Sequence, residues 1–187
     1  MSNEGAGLRS GTGAVGDSAM LGKAIAIAVR AHAGKEDKAG QPYILHPLRV
    51  MLSLETVEER IVAVLHDVLE DGSPDIADEA RRLLPERLLK ALNAVTKKAD
   101  EAGPANYGRF IERAAADPLA RRVKIADLKD NLDVTRLSAI GSEDAARLER
   151  YLLALARLRK SELGSGREAQ LWKGGPGSPG IYIDSLQ

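Results

Sequence analysis

The sequence predicts an all-α fold, a single body of several short to medium helices around one core. Three observations carry that prediction. Apolar residues recur at three- and four-residue spacing through most of the middle of the chain, the period of a helix with one buried face. Helix-start signals stand ahead of those segments: a Thr-x-x-Glu box at Thr56 to Glu59, and prolines at Pro47, Pro74, Pro85 and Pro118. No convincing alternation of apolar and polar residues, the mark of a half-buried strand, interrupts them.

The elements follow in order. A first helix is expected over residues 19–33, with Leu21, Ile25, Ala28 and Val29 at its apolar positions and Asp17 or Ser18 as cap. A second, short helix is expected after Pro47. The third carries Val57, Ile61, Val64, Leu65 and Val68, and its period runs on through His66 to Asp71. Ser73-Pro74 and Leu84-Pro85 mark further starts. Lys90, Ala91, Leu92 and Val95 lie in another helix; Tyr107, Phe110, Ile111 and Ala114 in one more. Asp117-Pro118 opens the next, which carries Val123, Ile125, Ala126 and Leu128. Leu148, Tyr151, Leu152, Leu155 and Leu158 form a last amphipathic helix. Aromatic residues are only 3%, so the core must be built from Leu, Val, Ile and Ala.

The 187 residues allow one domain with tails. The domain is expected over residues 17–163. Residues 1–16 and 164–187, rich in Gly and Ser or Pro, read as flexible tails. Lys plus Arg and Asp plus Glu both total 27. That balance disfavours a sequence-independent nucleic-acid binder, which needs a basic excess against phosphates. No apolar run approaches a membrane span, and residues 1–16 lack the apolar stretch of a secretory signal. The chain has no cysteine, which excludes disulfides and thiolate metal sites and fits a cytoplasmic protein. A transition-metal site would have to use Asp, Glu and the three histidines, His32, His46 and His66.

The densest polar cluster lies inside the most apolar helix. His66-Asp67-Val-Leu-Glu70-Asp71 pairs His66 with Glu70 and Asp67 with Asp71 at four-residue spacing. Carboxylates packed together cost free energy unless a cation or a shared proton compensates. Imidazole with carboxylate oxygen suits Mn, Fe, Zn or Mg-like ions. His46 stands directly before Pro47, and Asp127 and Asn131 lie four apart on a later helix. Asp127 follows apolar and small residues, so it needs a partner near the core.

The ordered set His46, His66-Asp67 and Asp127 resembles the HD superfamily of metal-dependent phosphohydrolases. In detail it is similar to the RelA/SpoT-type hydrolase domain and to small stand-alone SpoT-like hydrolases. The stretches that carry the resemblance are Ala31-His32-Ala-Gly34, Gly40-Gln-Pro-Tyr43-Ile-Leu-His46-Pro47, Leu65-His66-Asp67-Val-Leu-Glu70-Asp71, Val95-Thr96-Lys97 and Val123-Lys124-Ile-Ala126-Asp127 with Asn131. The resemblance covers roughly Lys23 to Lys160. The resemblance implies an HD fold and four metal ligands, His46, His66, Asp67 and Asp127, usually for manganese. It implies Glu70 and Asp71 as the acids that orient and deprotonate the attacking water. Asn131, Tyr43, Lys38 and Lys124 are then substrate-binding candidates, and Lys97, Lys129 and Arg109 are further cations for phosphate. His32 matches the family without being a ligand there.

The chain departs from the family where the guanine side of the substrate is held. An Arg-Lys-Ser run is expected, and Asp37-Lys38-Ala39 stands in its place. Leu128-Lys129 replaces a basic residue followed by Leu, and Val134 stands where Thr is frequent. No Gly-x-x-x-x-Gly-Lys-Ser phosphate loop is present. The expected function is hydrolysis of guanosine 3′,5′-bis(diphosphate), the stringent-response nucleotide, or of a similar phosphorylated nucleotide. Alternatives are another nucleotide phosphatase with an NADPH-like substrate, or a non-catalytic nucleotide-sensing module; a helical scaffold associating through residues 148–158 is the weakest. Small-molecule nucleotides, rather than polymers or membranes, are the expected partners. The oligomeric state is left open.

Overall fold

The computed structural model describes residues 12–101, 106–137 and 139–164, with no side-chain description for residues 12–15, 163 and 164. Its helices are α1 (Thr12–Ala31), α2 (Leu45–Leu52), α3 (Val57–Leu65), α4 (Val68–Asp71), α5 (Pro74–Leu83), α6 (Glu86–Val95), α7 (Tyr107–Ala116), α8 (Pro118–Asn131) and α9 (Ser142–Gly164). Single 3₁₀ turns lie at Ala99–Glu101 and Val134–Arg136. Among the described residues the only extended pairing is an isolated bridge between Glu36 and Pro42. The all-α expectation is met.

The start signals act as their chemistry requires. Thr56 accepts from Glu59 N, and the Glu59 carboxylate accepts from Thr56 N at 3.0 Å, closing both halves of the box. Asp117 caps α8 by accepting from Leu119 N and Ala120 N, each at 3.0 Å. α2 begins at Leu45, so Pro47 lies inside its first turn, where a missing N–H leaves no bond unmade.

Besides the start of α2, which precedes Pro47 instead of following it, two boundaries differ from expectation. α1 begins at Thr12, inside the stretch expected as tail. Gly13 and Gly16 lower local propensity, but they extend a helix that its packed part already nucleates. Residues 1–11 and 165–187, which hold the rest of both expected tails, lie outside the described residues. The third helix does not run unbroken to Asp71. It ends at Leu65, His66 and Asp67 form a turn, and α4 starts at Val68. His66 N bonds to Ala63 O, and Glu70 N and Asp71 N both bond to Asp67 O, so the ladder changes register there. α4 stops at Gly72, where a Cβ would lie 2.7 Å from Val68 O.

The core has two parts. The larger packs α1 to α6 and one side of α8 around Ile27, Val50, Ile61, Leu65, Val68 and Leu92. The smaller packs Phe110, Ile111, Leu128, Leu155 and Leu158 from α7, α8 and α9. α8 belongs to both. Val123 and Ala126 lie in the first cluster, Ile125 and Leu128 in the second. A helix buried on both sides can carry a charged group inward only with partners, and α8 does so at Asp127, which is 3% exposed.

Candidate metal centre

Three backbone features bring the polar set together. The first turn of α2 presents His46, the break between α3 and α4 presents His66 and Asp67, and the inner part of α8 presents Asp127. His46 Nε2 lies 3.3 Å from His66 Nε2. Asp127 Oδ1 is 3.2 Å from the first and 3.6 Å from the second. Asp67 Oδ2 is 3.0 Å from His66 Nε2 and 3.8 Å from His46 Nε2. His46, His66 and Asp127 are all buried, and their facing atoms lie within 4.8 Å of one another.

The outer ring nitrogens decide what those inner atoms are. His66 Nδ1 is 2.7 Å from Ala63 O, and a carbonyl only accepts. His46 Nδ1 is 2.7 Å from Asp130 Oδ2, and a carboxylate accepts. Both rings therefore carry their proton on Nδ1 and, when neutral, turn an Nε2 lone pair inward. The two lone pairs, 3.3 Å apart and beside two carboxylates, leave no donor between the two rings when both are neutral. A divalent cation would fill that place, and this donor set fits one.

Protonation tells the same story. Burial opposes the charged form of His66, but the carboxylates of Asp67 and Asp127 outweigh it and hold its pKa well above the ordinary imidazole range. His46 is raised in the same way by Asp127 and Asp130 against its burial. Burial would raise Asp127, yet Lys124 and the two imidazoles hold it far below the usual carboxylate range. The centre draws positive charge to itself, as protons or as an ion.

A cavity of about 270 Å³ opens on this centre, lined among others by Tyr43, Asp67, Glu70, Lys97, Lys124 and Asn131. Glu70 and Asp71 both line it. Burial pushes the Glu70 carboxyl above its ordinary range, although Lys97 pulls the other way; Glu70 Oε1 accepts from Lys97 N at 2.5 Å. Asp71 Oδ2 lies 3.6 Å from Lys35 Nζ. Tyr43 donates to Asp67 Oδ2 at 2.6 Å, and burial raises its own pKa. Asn131 Nδ2 donates to Asp127 Oδ1 at 2.6 Å.

The cations divide differently from expectation. Lys124 is almost buried, donates to Asp127 Oδ2 at 2.6 Å and lies over the Phe110 ring at 4.7 Å. Its charge is already matched within the protein. Lys38 lies 3.9 Å from Asp144 and lines a neighbouring cavity rather than the metal-facing one. Lys97 lines the metal-facing cavity, with Nζ 3.5 Å from Glu70. Lys129 lines a separate cavity beside Arg49 and Asp130, and Arg109 pairs with Asp100 at 3.6 Å. His32 is 2% exposed and its ring is tilted against that of Tyr43, centroids 4.9 Å apart. It lies outside the facing set, and neither ring nitrogen has a hydrogen-bond partner among the described residues.

The neighbouring cavity, also about 270 Å³, shares Tyr43, His46, Asn131 and Tyr151 with the first. Asp37 faces it, but its carboxylate is engaged: Oδ1 accepts from Ala39 N at 2.9 Å and Gln41 N at 3.0 Å. The turn it closes needs Gly40 at φ 73°. Asp37 Oδ2 is 3.5 Å from Arg136 Nη1, so a guanidinium does stand in this cavity, supplied by the segment after α8. Arg136, Arg147 and Asp130 were not singled out in the sequence. Asp130 lies three residues from Asp127 on the same helix.

No family model matches the chain. Among curated proteins it is 35% identical over 120 residues to the guanosine-3′,5′-bis(diphosphate) 3′-pyrophosphohydrolase of Aquifex aeolicus, covering 59% of this chain and 17% of that protein. It is 28% identical over 123 residues to the bifunctional (p)ppGpp synthase/hydrolase SpoT of Escherichia coli K12, covering 60% of this chain and 17% of that one. A solved metazoan SpoT orthologue, described as hydrolysing ppGpp, superposes with a TM-score of 0.60 at 18% identity, over 86% of this chain and 99% of its own. The helical body shares the fold of that solved SpoT orthologue. The chain spans about a sixth of the length of these two curated relatives. The residues His66 and Asp67 form the break between α3 and α4. Among the described residues no helix is long and apolar enough to cross a membrane.

Proposed function

We propose that this chain is a manganese-dependent phosphohydrolase that removes the 3′-pyrophosphate of guanosine 3′,5′-bis(diphosphate) or of a similar phosphorylated nucleotide in the cytoplasm. The observation that carries it is the pair of inward Nε2 atoms, 3.3 Å apart, facing Asp127 and Asp67 with both Nδ1 atoms already used. His46, His66, Asp67 and Asp127 would hold the ion. A divalent ion in such a site supplies an acidified water and a Lewis acid for phosphoryl oxygen.

The protein's own groups do the rest. Glu70, raised by burial, is suited to take a proton from water near neutral pH, and Asp71 lines the same cavity. Tyr43 fixes the Asp67 carboxylate, and Asn131 and Lys124 fix that of Asp127, so the acids keep their places while charge moves. Lys97 is the cation in this cavity closest in role to a phosphate partner. A pyrophosphate leaving group from a nucleotide that spans both cavities satisfies this layout.

The names of the relatives favour the guanosine substrate. One observation favours a second reading, a nucleotide with less charge at its far end: Lys38 and Arg147 are paired with Asp144, and Arg136 with Asp37 and Asp130. A panel of guanosine tetraphosphate, NADPH and simple nucleotides, offered with Mn²⁺, separates the two. Pyrophosphate from the first supports the main reading, and orthophosphate from NADPH alone supports the second. Binding without release from any member supports a sensing module instead.

A further inference from the structure

Asp130 has no role of its own in the scheme above beyond accepting from His46 Nδ1, yet its carboxylate is heavily bonded. Its side chain is 12% exposed. Oδ2 accepts from His46 Nδ1 at 2.7 Å, from Arg49 Nη2 at 3.0 Å and from Arg136 Nη2 at 3.2 Å. Oδ1 accepts from Arg49 Nε at 2.7 Å, and the Asp130 carbonyl accepts from Arg136 Nη2 at 2.5 Å. The Arg49 contact is bidentate, which sets the plane of a carboxylate as well as its place. Arg49 stands three residues after His46 on α2, so ring and clamp project from adjoining positions of one helix. Arg136 comes from the 3₁₀ turn at Val134–Arg136 and approaches through the neighbouring cavity.

We propose that Asp130 is a positioning residue for the metal centre. It holds the proton of His46 on Nδ1 and orients the ring so that Nε2 faces the ion, while Arg49 and Arg136 hold Asp130. The role rests on the metal reading of the site. An acid bonded to the far nitrogen of a ligand imidazole fixes its tautomer and raises its basicity, and loss of such an acid weakens metal binding. His66 needs no such residue, because a backbone carbonyl serves its Nδ1. The two imidazoles thus differ in how a side-chain substitution can reach them.

The test is the Mn²⁺ affinity of the full chain by titration calorimetry, with thermal melting of each protein alongside. Asp130→Ala is expected to weaken Mn²⁺ binding by about 10–100-fold. Asp130→Asn, which keeps an acceptor and loses the charge, weakens it less. Arg49→Gln ranks below Asp130→Ala, and Arg136→Gln, with a single contact on the carboxylate, ranks lowest. Should Asp130→Ala fail to fold, Asp130→Asn carries the test. Wild-type affinity in the folded Asp130 variants overturns the positioning role and leaves the metal reading standing. An Arg49→Gln or Arg136→Gln loss equal to that of Asp130→Ala, with equal loss of melting temperature, overturns it too, since the arginines would then not act through the acid. A wild-type chain that binds no divalent ion overturns the metal reading, and this role with it.

Discussion

Glu70 separates binding an ion from using it. It touches none of the facing nitrogen atoms and instead borders the cavity beside them, held by the backbone of Lys97. A base of this kind contributes about 10²–10⁴-fold to rate. Glu70→Gln should therefore lower kcat by that range, with Mn²⁺ affinity within a few-fold of wild type, as read by pyrophosphate release and calorimetry on the same protein. An unchanged kcat would remove Glu70 from the mechanism. Residues of this rank were legible in the sequence because their types sit in a short motif, His66-Asp67-Val-Leu-Glu70-Asp71. Asp130 was not. Its importance comes from His46 and Arg49, more than 80 residues away, and from Arg136, and no local pattern records such a meeting. Asp37 was legible as a departure, but not its consequence, because the guanidinium of Arg136 that faces it lies 99 residues on.

At the scale of elements, α3 shows which signals survive folding. The capping box was readable and forms. Its Glu59 is 4% exposed and also pairs with Arg122. Burial pushes the Glu59 carboxyl up, but the Thr56 N–H and the Arg122 guanidinium outweigh it and leave the pKa below the ordinary glutamate range. A folded pKa below the unfolded one means stabilisation that is complete above about pH 5 and is lost as pH falls through the folded value. Glu59→Gln should thus destabilise the protein at pH 7 by about 1 kcal/mol or more, and the gap in melting temperature should close as pH falls through the lowered pKa of the folded carboxyl. A gap independent of pH would mean that packing, not charge, is lost. The break at His66 and Asp67 was not readable, because His66 keeps helical angles, φ −57° and ψ −33°, and the apolar period runs straight across it to Val68. Hydrogen-bond register, which the period does not encode, makes the turn.

For the whole molecule, the centre lies where α2, the α3–α4 break and α8 meet, and α8 ties the two core clusters together. An ion held there bridges elements distant in sequence, and anything that binds only the folded chain stabilises it. Mn²⁺ at about 100 times its dissociation constant should add roughly 2.7 kcal/mol, seen as a rise in melting temperature that a chelator reverses. Alanine at His66 should abolish that rise, whereas alanine at Lys38, which lines only the neighbouring cavity, should leave it intact. The all-helical class and the main helices were legible in the periodicity. α8 was placed by its Asp117-Pro118 start, although burial on both sides, from Leu119 to Leu128, blurs its apolar stripe.

Anomalous diffraction at the manganese edge, from crystals grown with Mn²⁺, tests the central claim most directly. A single strong peak is predicted within about 2.0–2.4 Å of Nε2 of His46, Nε2 of His66 and a carboxylate oxygen of Asp127, with Asp67 completing the set. A peak elsewhere on the molecule, or none while the four side chains keep these positions, would contradict it.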